Sequence, residues 1–331
     1  MDRREKALRF LDLGGRGLEI GPSYSPLVTK ASGVRVETVD HADQQGLIDK
    51  YSAWGVPNDK IEAIEDVDHV WTGGSLLDVI SERGAYDFII ASHVIEHSVD
   101  IISFLSDCTE LLTESGRLSL VVPDKRHCFD RFQPLSTIGD AVDAFHAANR
   151  FHTAGTLLDH QAYGCVLDKA VAWDEAAAGT VSLQFPDLEH AAAVIEEGLA
   201  QDRYHDVHHW KFTPTSFDLF LRDLWLLGYQ KLGHVGAYGT EGFEFFVTLG
   251  KDAGWPDVDR TELLLSVEAE LAEPGLKDLR ELHASLAAEN DDLRRRVSEL
   301  TAEVALMTGS RSWRMTTPLR RLNAARKRLV D

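Results

Sequence analysis

Cysteine is scarce in this chain. Its 331 residues include three, Cys108, Cys128 and Cys165, and no two of them form a C-x-x-C pair. So sparse and odd a set excludes a disulfide-built scaffold and a thiolate zinc site, and it fits a reducing compartment. No stretch approaches the ~20 apolar residues of a membrane-spanning helix. The opening residues, Met1-Asp2-Arg3-Arg4-Glu5-Lys6, are charged and lack the apolar core of a secretion signal, so a cytoplasmic location is expected. Positive charge is in deficit, with 34 Lys and Arg against 54 Asp and Glu, a net −20. That disfavours a protein that coats polyanions, and no nucleic-acid partner is expected. Internal repeats are absent.

What remains is a globular mixture. Hydrophobic residues at 44% and charged residues at 27% exclude wholesale disorder and a collagen-like chain. The length admits roughly two domains. The scarce positive charge gathers at one end: from 308 to 331 seven basic residues face one acid, Asp331. A basic end on an acidic body suggests a partner of its own for that end.

Patterning predicts a short leading helix over 1–12 and strands at 17–20, 33–40 and, more weakly, 68–71. Two nearly continuous apolar runs, 86–91 and 118–122, have the form of strands buried on both faces. Between the last two strands, Ile101, Ile102, Leu105, Leu111 and Leu112 recur near helical spacing, with Gly116 as the predicted stop. Strand–helix alternation over ~110 residues predicts right-handed βαβ units and a parallel sheet. Residues 124–211 break the rhythm and read as an insertion, with helices near 138–148 and 188–199. Thr213-Pro214 opens a helix to Leu227, and strands at 229–236 and 242–250 close the domain near Lys251. Beyond Gly254-Trp255-Pro256 the composition turns to Leu, Ala, Glu and Arg. Leu279, Leu282 and Leu286, then Leu293, Val297, Leu300, Val304 and Met307, follow heptad spacing with a shift of phase at Glu289. This predicts a short coiled coil with a stutter, or else one amphipathic helix on the body.

The chemistry is read at the strand ends. Glu19-Ile20-Gly21-Pro22 ends the first strand and opens a turn, where glycine lets backbone approach a ligand. An acid there would repel pyrophosphate and suits a positive or hydrogen-bond-donating ligand. Asp40 stands at the tip of the second strand, where a carboxylate can accept from ribose hydroxyls. The alternative is a turn glycine with two surface acids.

With these segments the sequence resembles the class I methyltransferases that use S-adenosylmethionine (SAM). Leu18-Glu19-Ile20-Gly21-Pro22 resembles their first motif, Val39-Asp40 their ribose acid, Tyr86 to His97 their fourth-strand motif, and Leu111 to Leu118 the turn into their fifth strand. Ser23 and Ser25 stand where many members have glycine, and the pattern lacks the G-x-G-x-x-G of a phosphate-binding dehydrogenase. The resemblance implies a Rossmann-like α/β fold with a seven-stranded sheet, an insertion after strand five and SAM as cofactor. It implies a cofactor pocket of Glu19, Gly21, Pro22, Asp40, His41, Ser75, Leu76, Ser92 and His93. Gly21 would lie beside the methionine part, Asp40 would hold the ribose, Ser75 and Leu76 would meet adenine, and Ser92 and His93 would line the methyl site. The implied domains are a methyltransferase domain over 1–252 with a substrate cap at 124–211, a linker and coiled coil over 253–307, and a basic amphipathic tail over 308–331.

An alcohol acceptor must lose a proton. After the fifth strand, Asp124 and His127 are the candidate catalytic residues, joined by His208 from the histidine-rich Tyr204-His205-Asp206-Val207-His208-His209-Trp210. That stretch, or His93, Glu96 and His97, could hold a metal; packing roles are preferred for both, and no metal is expected. Ser310 to Arg320 resembles a segment that follows coiled coils in bacterial enzymes of surface-polysaccharide assembly. The basic residues around Leu319, Leu322, Leu329 and Val330, with Trp313 upstream, suit an anionic membrane face. A solvated helix end and docking on the acidic body are the other readings. The expected activity is O-methylation of a sugar in a cell-surface glycan or its precursor, by a homo-oligomer joined through the coiled coil. Methylation of a quinone-like or secondary metabolite, and a weakly catalytic scaffold, are the alternatives.

Overall fold

The computed structural model describes residues 1–200 and 204–319; within them, the side chains at 190, 194, 197–200, 273–285 and 287 are outside the description. Seven strands form one sheet in the order β3-β2-β1-β4-β5-β9-β8. They are β1 (Arg16–Ile20), β2 (Arg35–Asp40), β3 (His69–Val70), β4 (Tyr86–Ser92), β5 (Leu112–Pro123), β8 (Gly233–Glu241) and β9 (Glu244–Gly250). The first five are parallel, and β9 runs antiparallel between β5 and β8. A separate hairpin, β6 (Cys165–Leu167) with β7 (Val181–Leu183), lies in the insertion.

Alternate residues of the central strands feed two cores, which is why these strands show no polar alternation. Leu18, Ile89, Leu120 and Val247 face one side, against α4 (Ile101–Leu111) and α8 (Pro214–Leu226). Phe88, Ile90, Val121 and Phe246 face the other, against α1 (Arg3–Leu8). Gly17 is required here, since a Cβ on it would lie 2.0 Å from the Phe88 ring. The remaining helices of the body are α2 (Gln44–Ala53), α3 (Asn58–Ile61), α5 (Ile138–Ala147), α6 (Ala154–Tyr163) and α7 (Leu188–Ala200).

Several boundaries differ from expectation. Helix α4 ends at Leu111 rather than at Gly116, because Leu112 already takes extended backbone and pairs with Tyr86. The fifth strand therefore starts six residues early, with a bulge where the register shifts between Tyr86 and Phe88. Helix α8 opens as expected, with Pro214 in its first turn and the Thr213 amide donating to Ser216 Oγ at 2.8 Å.

The chain divides into two compact units, Met1–Leu271 and Ala272–Asp331. The first extends past the 252 limit expected from composition. Its last helical turns, the start of α9 (Arg260–Gly309), are pinned to the body. Arg260 pairs with Asp223 at 2.9 Å, and Arg126 Nη1 donates to the Glu270 carbonyl at 2.9 Å. In the second unit, Leu286, Leu293, Val297, Leu300, Val304 and Met307 of α9 are exposed. The short helix α10 (Arg311–Met315) follows, capped by Ser310. The predicted tail lies partly outside the described residues: nothing from Arg320 onward is described. No described helix is long and apolar enough to cross a membrane.

Candidate active site

The carboxyl ends of β1, β2 and β4 open on a cavity of about 860 Å³. Parallel strands gather ligands at this edge. After β1 the chain turns at Gly21, with φ +68°, and its amide donates to the Val39 carbonyl at 2.7 Å. Ser23 follows in the left-handed region at φ +48°, where the family pattern has glycine. Local hydrogen bonds hold it there: its amide donates to Asp40 Oδ2 at 2.9 Å, and its hydroxyl pairs with the Tyr51 hydroxyl at 2.8 Å. Asp40 accepts further from the His41 amide at 2.8 Å and the His41 ring at 2.7 Å. A carboxylate offers about four acceptor sites, so roughly one is left unused.

Glu19, Gly21, Pro22, Asp40, His41, Ser75, Ser92 and His93 all line this cavity. Two expected roles need correction. Glu19 is 1% exposed, and its carboxylate accepts from the Leu27 amide at 2.6 Å and the Val28 amide at 2.9 Å. It ties down the loop that returns beneath the pocket, and burial pushes its pKa up to about 7. Leu76 is wholly buried in the core and is not part of the cavity wall. Its amide is taken by Asp107 Oδ2 at 2.7 Å, which also accepts from Ser75 Oγ at 2.7 Å. The aromatic wall beside Ser75 comes instead from Trp71 and Phe104, whose ring centroids lie 6.4 Å apart.

The catalytic candidates are placed elsewhere. Neither Asp124, His127 nor His208 lines the cavity. Asp124 is wholly buried and held by Arg126 at 2.6 Å and the Thr240 hydroxyl at 2.5 Å. The chain after β5 is covered by the insertion: Phe129 bonds through its amide to Val171 O and through its carbonyl to Cys165 N, and the His127 carbonyl takes the Trp173 amide. That cover closes the strand end which elsewhere in the sheet stays open. His208 sits one layer behind the wall, its ring against His97, with centroids 4.6 Å apart. The wall itself carries His97 and, from the insertion, Arg150, Tyr204 and Asp206. Burial holds the His97 imidazole neutral, its pKa near 4.

Two residues of the wall, Arg3 and His93, belong to an ion cluster that no local pattern announced. His93, at φ +55° just past β4, places Nε2 2.8 Å from Glu244 and Nδ1 3.3 Å from Glu96. Arg3 pairs with Glu244 at 2.6 Å and donates to Ser92 Oγ at 2.9 Å. Although burial opposes it, the two carboxylates raise the His93 pKa to about 9, so the ring is an imidazolium at neutral pH and is no base. Since the unfolded value is ~6.5, its stabilisation is complete below pH ~6.5 and is lost as pH rises through about 9. The unfolding midpoint of the wild type should therefore fall more between pH 7 and 9.5 than that of His93→Gln, by the equivalent of about 2 kcal/mol. Parallel curves for the two proteins would refute this assignment.

No protein-family model and no curated protein sequence matches the chain. Among solved structures it is similar to the CcbJ methyltransferase of Streptomyces caelestis, at 12% identity and TM-score 0.37, over 76% of this chain and 96% of that one. An S-adenosylmethionine-dependent methyltransferase of Mesorhizobium loti overlaps at 11% identity and TM-score 0.36, over 74% and 97% of the two chains. A protein of Rhodobacter sphaeroides described as a Zn-dependent alcohol dehydrogenase overlaps at 13% identity and TM-score 0.40, over 76% and 91%. Overlaps this slight do not decide between those activities.

Proposed function

We propose that the chain is a SAM-dependent methyltransferase. The observation that carries this reading is the turn after β1. A phosphate-binding loop aims free backbone amides at its ligand. Here the Gly21, Ser23 and Ser25 amides are all donated within the protein, to Val39, Asp40 and Pro22. The pocket is therefore ill-suited to a pyrophosphate and suited to a nucleoside without one. Asp40 keeps an acceptor for a ribose hydroxyl, and Trp71 and Phe104 give the wall beside Ser75 the apolar aromatic surface a base would need. The volume lies within the range of small-molecule sites and suits cofactor and acceptor together.

Bound SAM would supply an electrophilic methyl group: as the acceptor oxygen forms the new C–O bond, the C–S pair stays on sulfur and the hydroxyl proton leaves to a base. The protein's share is positioning and exclusion of water. Asp206 is a wall group able to take that proton; burial opposes a charge on His97, and His93, already charged, cannot accept one. A polar acceptor wall of Arg150, Tyr204 and Asp206 fits a hydroxylated substrate, and the Ser310 to Arg320 resemblance favours a sugar of a surface glycan. We further propose that the exposed apolar stripe of α9 pairs with a second copy, and that the basic tail meets an anionic membrane face.

Calorimetry tests the core of this reading. SAM and its demethylated product should both bind, with dissociation constants between about 1 μM and 1 mM. Asp40→Ala should weaken both by about 100-fold, the worth of a charged hydrogen-bond pair. Heat from neither ligand would sink the proposal.

A further inference from the structure

Behind the cavity wall lies a group of polar side chains that the cofactor pocket does not use. Glu96 is wholly buried, yet neither of its carboxylate oxygens has a hydrogen-bond partner. Its charge is balanced by the His93 imidazolium, but a buried carboxylate with no directed donor on either oxygen is still uncommon. Its nearest neighbours are nitrogens. His93 Nδ1 lies 3.3 Å from Oε1 without hydrogen-bond geometry, and His208 Nε2 lies 3.9 Å from the same oxygen. A ring nitrogen of His97 completes a set in which the three ligand atoms of Glu96, His97 and His208 lie within 4.8 Å of one another.

The surroundings present these atoms deliberately. The Glu96 carbonyl accepts the amides of His209 at 2.7 Å and Trp210 at 3.1 Å, which fixes the insertion strand against the turn after β4. His208 Nδ1 is bonded to Asp130, itself held by Gln133 Nε2 at 2.7 Å. A carboxylate on Nδ1 leaves Nε2 as a lone pair in a fixed direction, the usual arrangement behind a metal-bound histidine. Ligands at ~2.0–2.2 Å from one ion stand ~3–4 Å apart, a spacing the Glu96–His208 pair already has.

We propose that Glu96, His97 and His208 bind a divalent first-row transition ion of the Zn²⁺ or Mn²⁺ kind at the back of the cavity. Two imidazoles and a carboxylate suit such an ion better than Ca²⁺, which takes oxygen ligands. The three ligands leave coordination positions open, and His97 reaches the cavity wall. An acceptor hydroxyl bound there would be acidified, and Asp206, 3.2 Å from His97, would take its proton. That use of the ion rests on the methyltransferase reading; the binding itself does not. A rival set, Cys128, Asp130 and His208, shares one residue. Asp130 is already occupied by His208 and Gln133, and the Cys128 thiol is itself turned to Asp130 Oδ2 at 3.6 Å.

The test uses the full chain, stripped with a chelator and titrated with Co²⁺ as a spectroscopic probe. One equivalent should bind with visible ligand-field bands and be displaced by Zn²⁺. Glu96→Gln, nearly isosteric, should weaken Co²⁺ by about 100-fold or more, and Asp130→Asn, which acts only through His208, by about 10–100-fold. Cys128→Ser should bind as the wild type does. Thermal melts confirm that each variant is folded, and His97→Asn replaces Glu96→Gln if that one is not. Failure of the wild type to bind Co²⁺, equal binding by folded Glu96→Gln, or a thiolate-to-cobalt charge-transfer band would each overturn the site. Binding of SAM is measured on the same samples: SAM without Co²⁺ overturns the metal site alone, and Co²⁺ without SAM overturns the cofactor reading alone.

Discussion

Gly21→Ala should fold and yet bind SAM about 30- to 100-fold more weakly. Gly21 sits at φ +68°, where a side chain costs ~1–2 kcal/mol. A Cβ there would stand 2.7 Å from Val94 Cγ2, and Val94 is itself part of the cavity wall. The strain can be relieved only by moving the turn, which breaks the amide bond to Val39 or displaces Val94 into the cavity. Either movement lands on the ligand side, so ~2–3 kcal/mol should appear chiefly in affinity. Ser23 shows that a side chain alone is tolerated in this turn when it has room and a partner. Calorimetry beside a thermal melt checks the claim, and wild-type affinity in the variant would contradict it.

Glu19→Ala should produce the largest loss of stability, about 3 kcal/mol, or roughly 6–12 °C in the melting midpoint of a domain this size. The substitution leaves the Leu27 and Val28 amides buried without an acceptor, at ~1–3 kcal/mol each. Removal of a strained carboxylate offsets part of that. The carboxyl has its own pH signature. Its folded pKa of about 7 lies above the unfolded value, so the folded state holds the proton more tightly. The wild type should therefore be most stable, relative to Glu19→Gln, below pH ~4.5, and should lose that margin as pH rises to about 7. Differential scanning calorimetry of the three proteins at pH 5 and 8 gives both numbers. A margin that grows with pH would show that Glu19 is not buried as described.

The parts of the fold that were legible are those governed by local periodicity. Phe88 to Ala91 had to be a strand with two covered faces, and the Pro214 cap needed only its neighbours. Asp40 lines the cavity for a related reason: the tip of a parallel strand faces that edge of the sheet whatever the rest of the chain does. Glu19 was placed correctly and given the wrong partner, because the amides that reach it return on a loop eight and nine residues later. Asp124 and His127 follow a parallel strand, and nothing in 124–127 announces that residues 165–173 will cover it. Arg3 and Glu244 meet across 241 residues, and His208 meets Asp130 across 78, distances over which spacing carries no signal. The histidine-rich stretch drew notice, but only its burial against Glu96 shows which ring has a use.

The salt bridge between Arg3 and Glu244 also bears on the order of events during synthesis. One wall of the pocket is supplied by the third residue and is locked by a strand made some 240 residues later. A ribosome-bound chain can thus assemble β1 to β5 and still lack a finished site. The wall would be completed abruptly, once β9 slides in beside β5 and Glu244 meets Arg3.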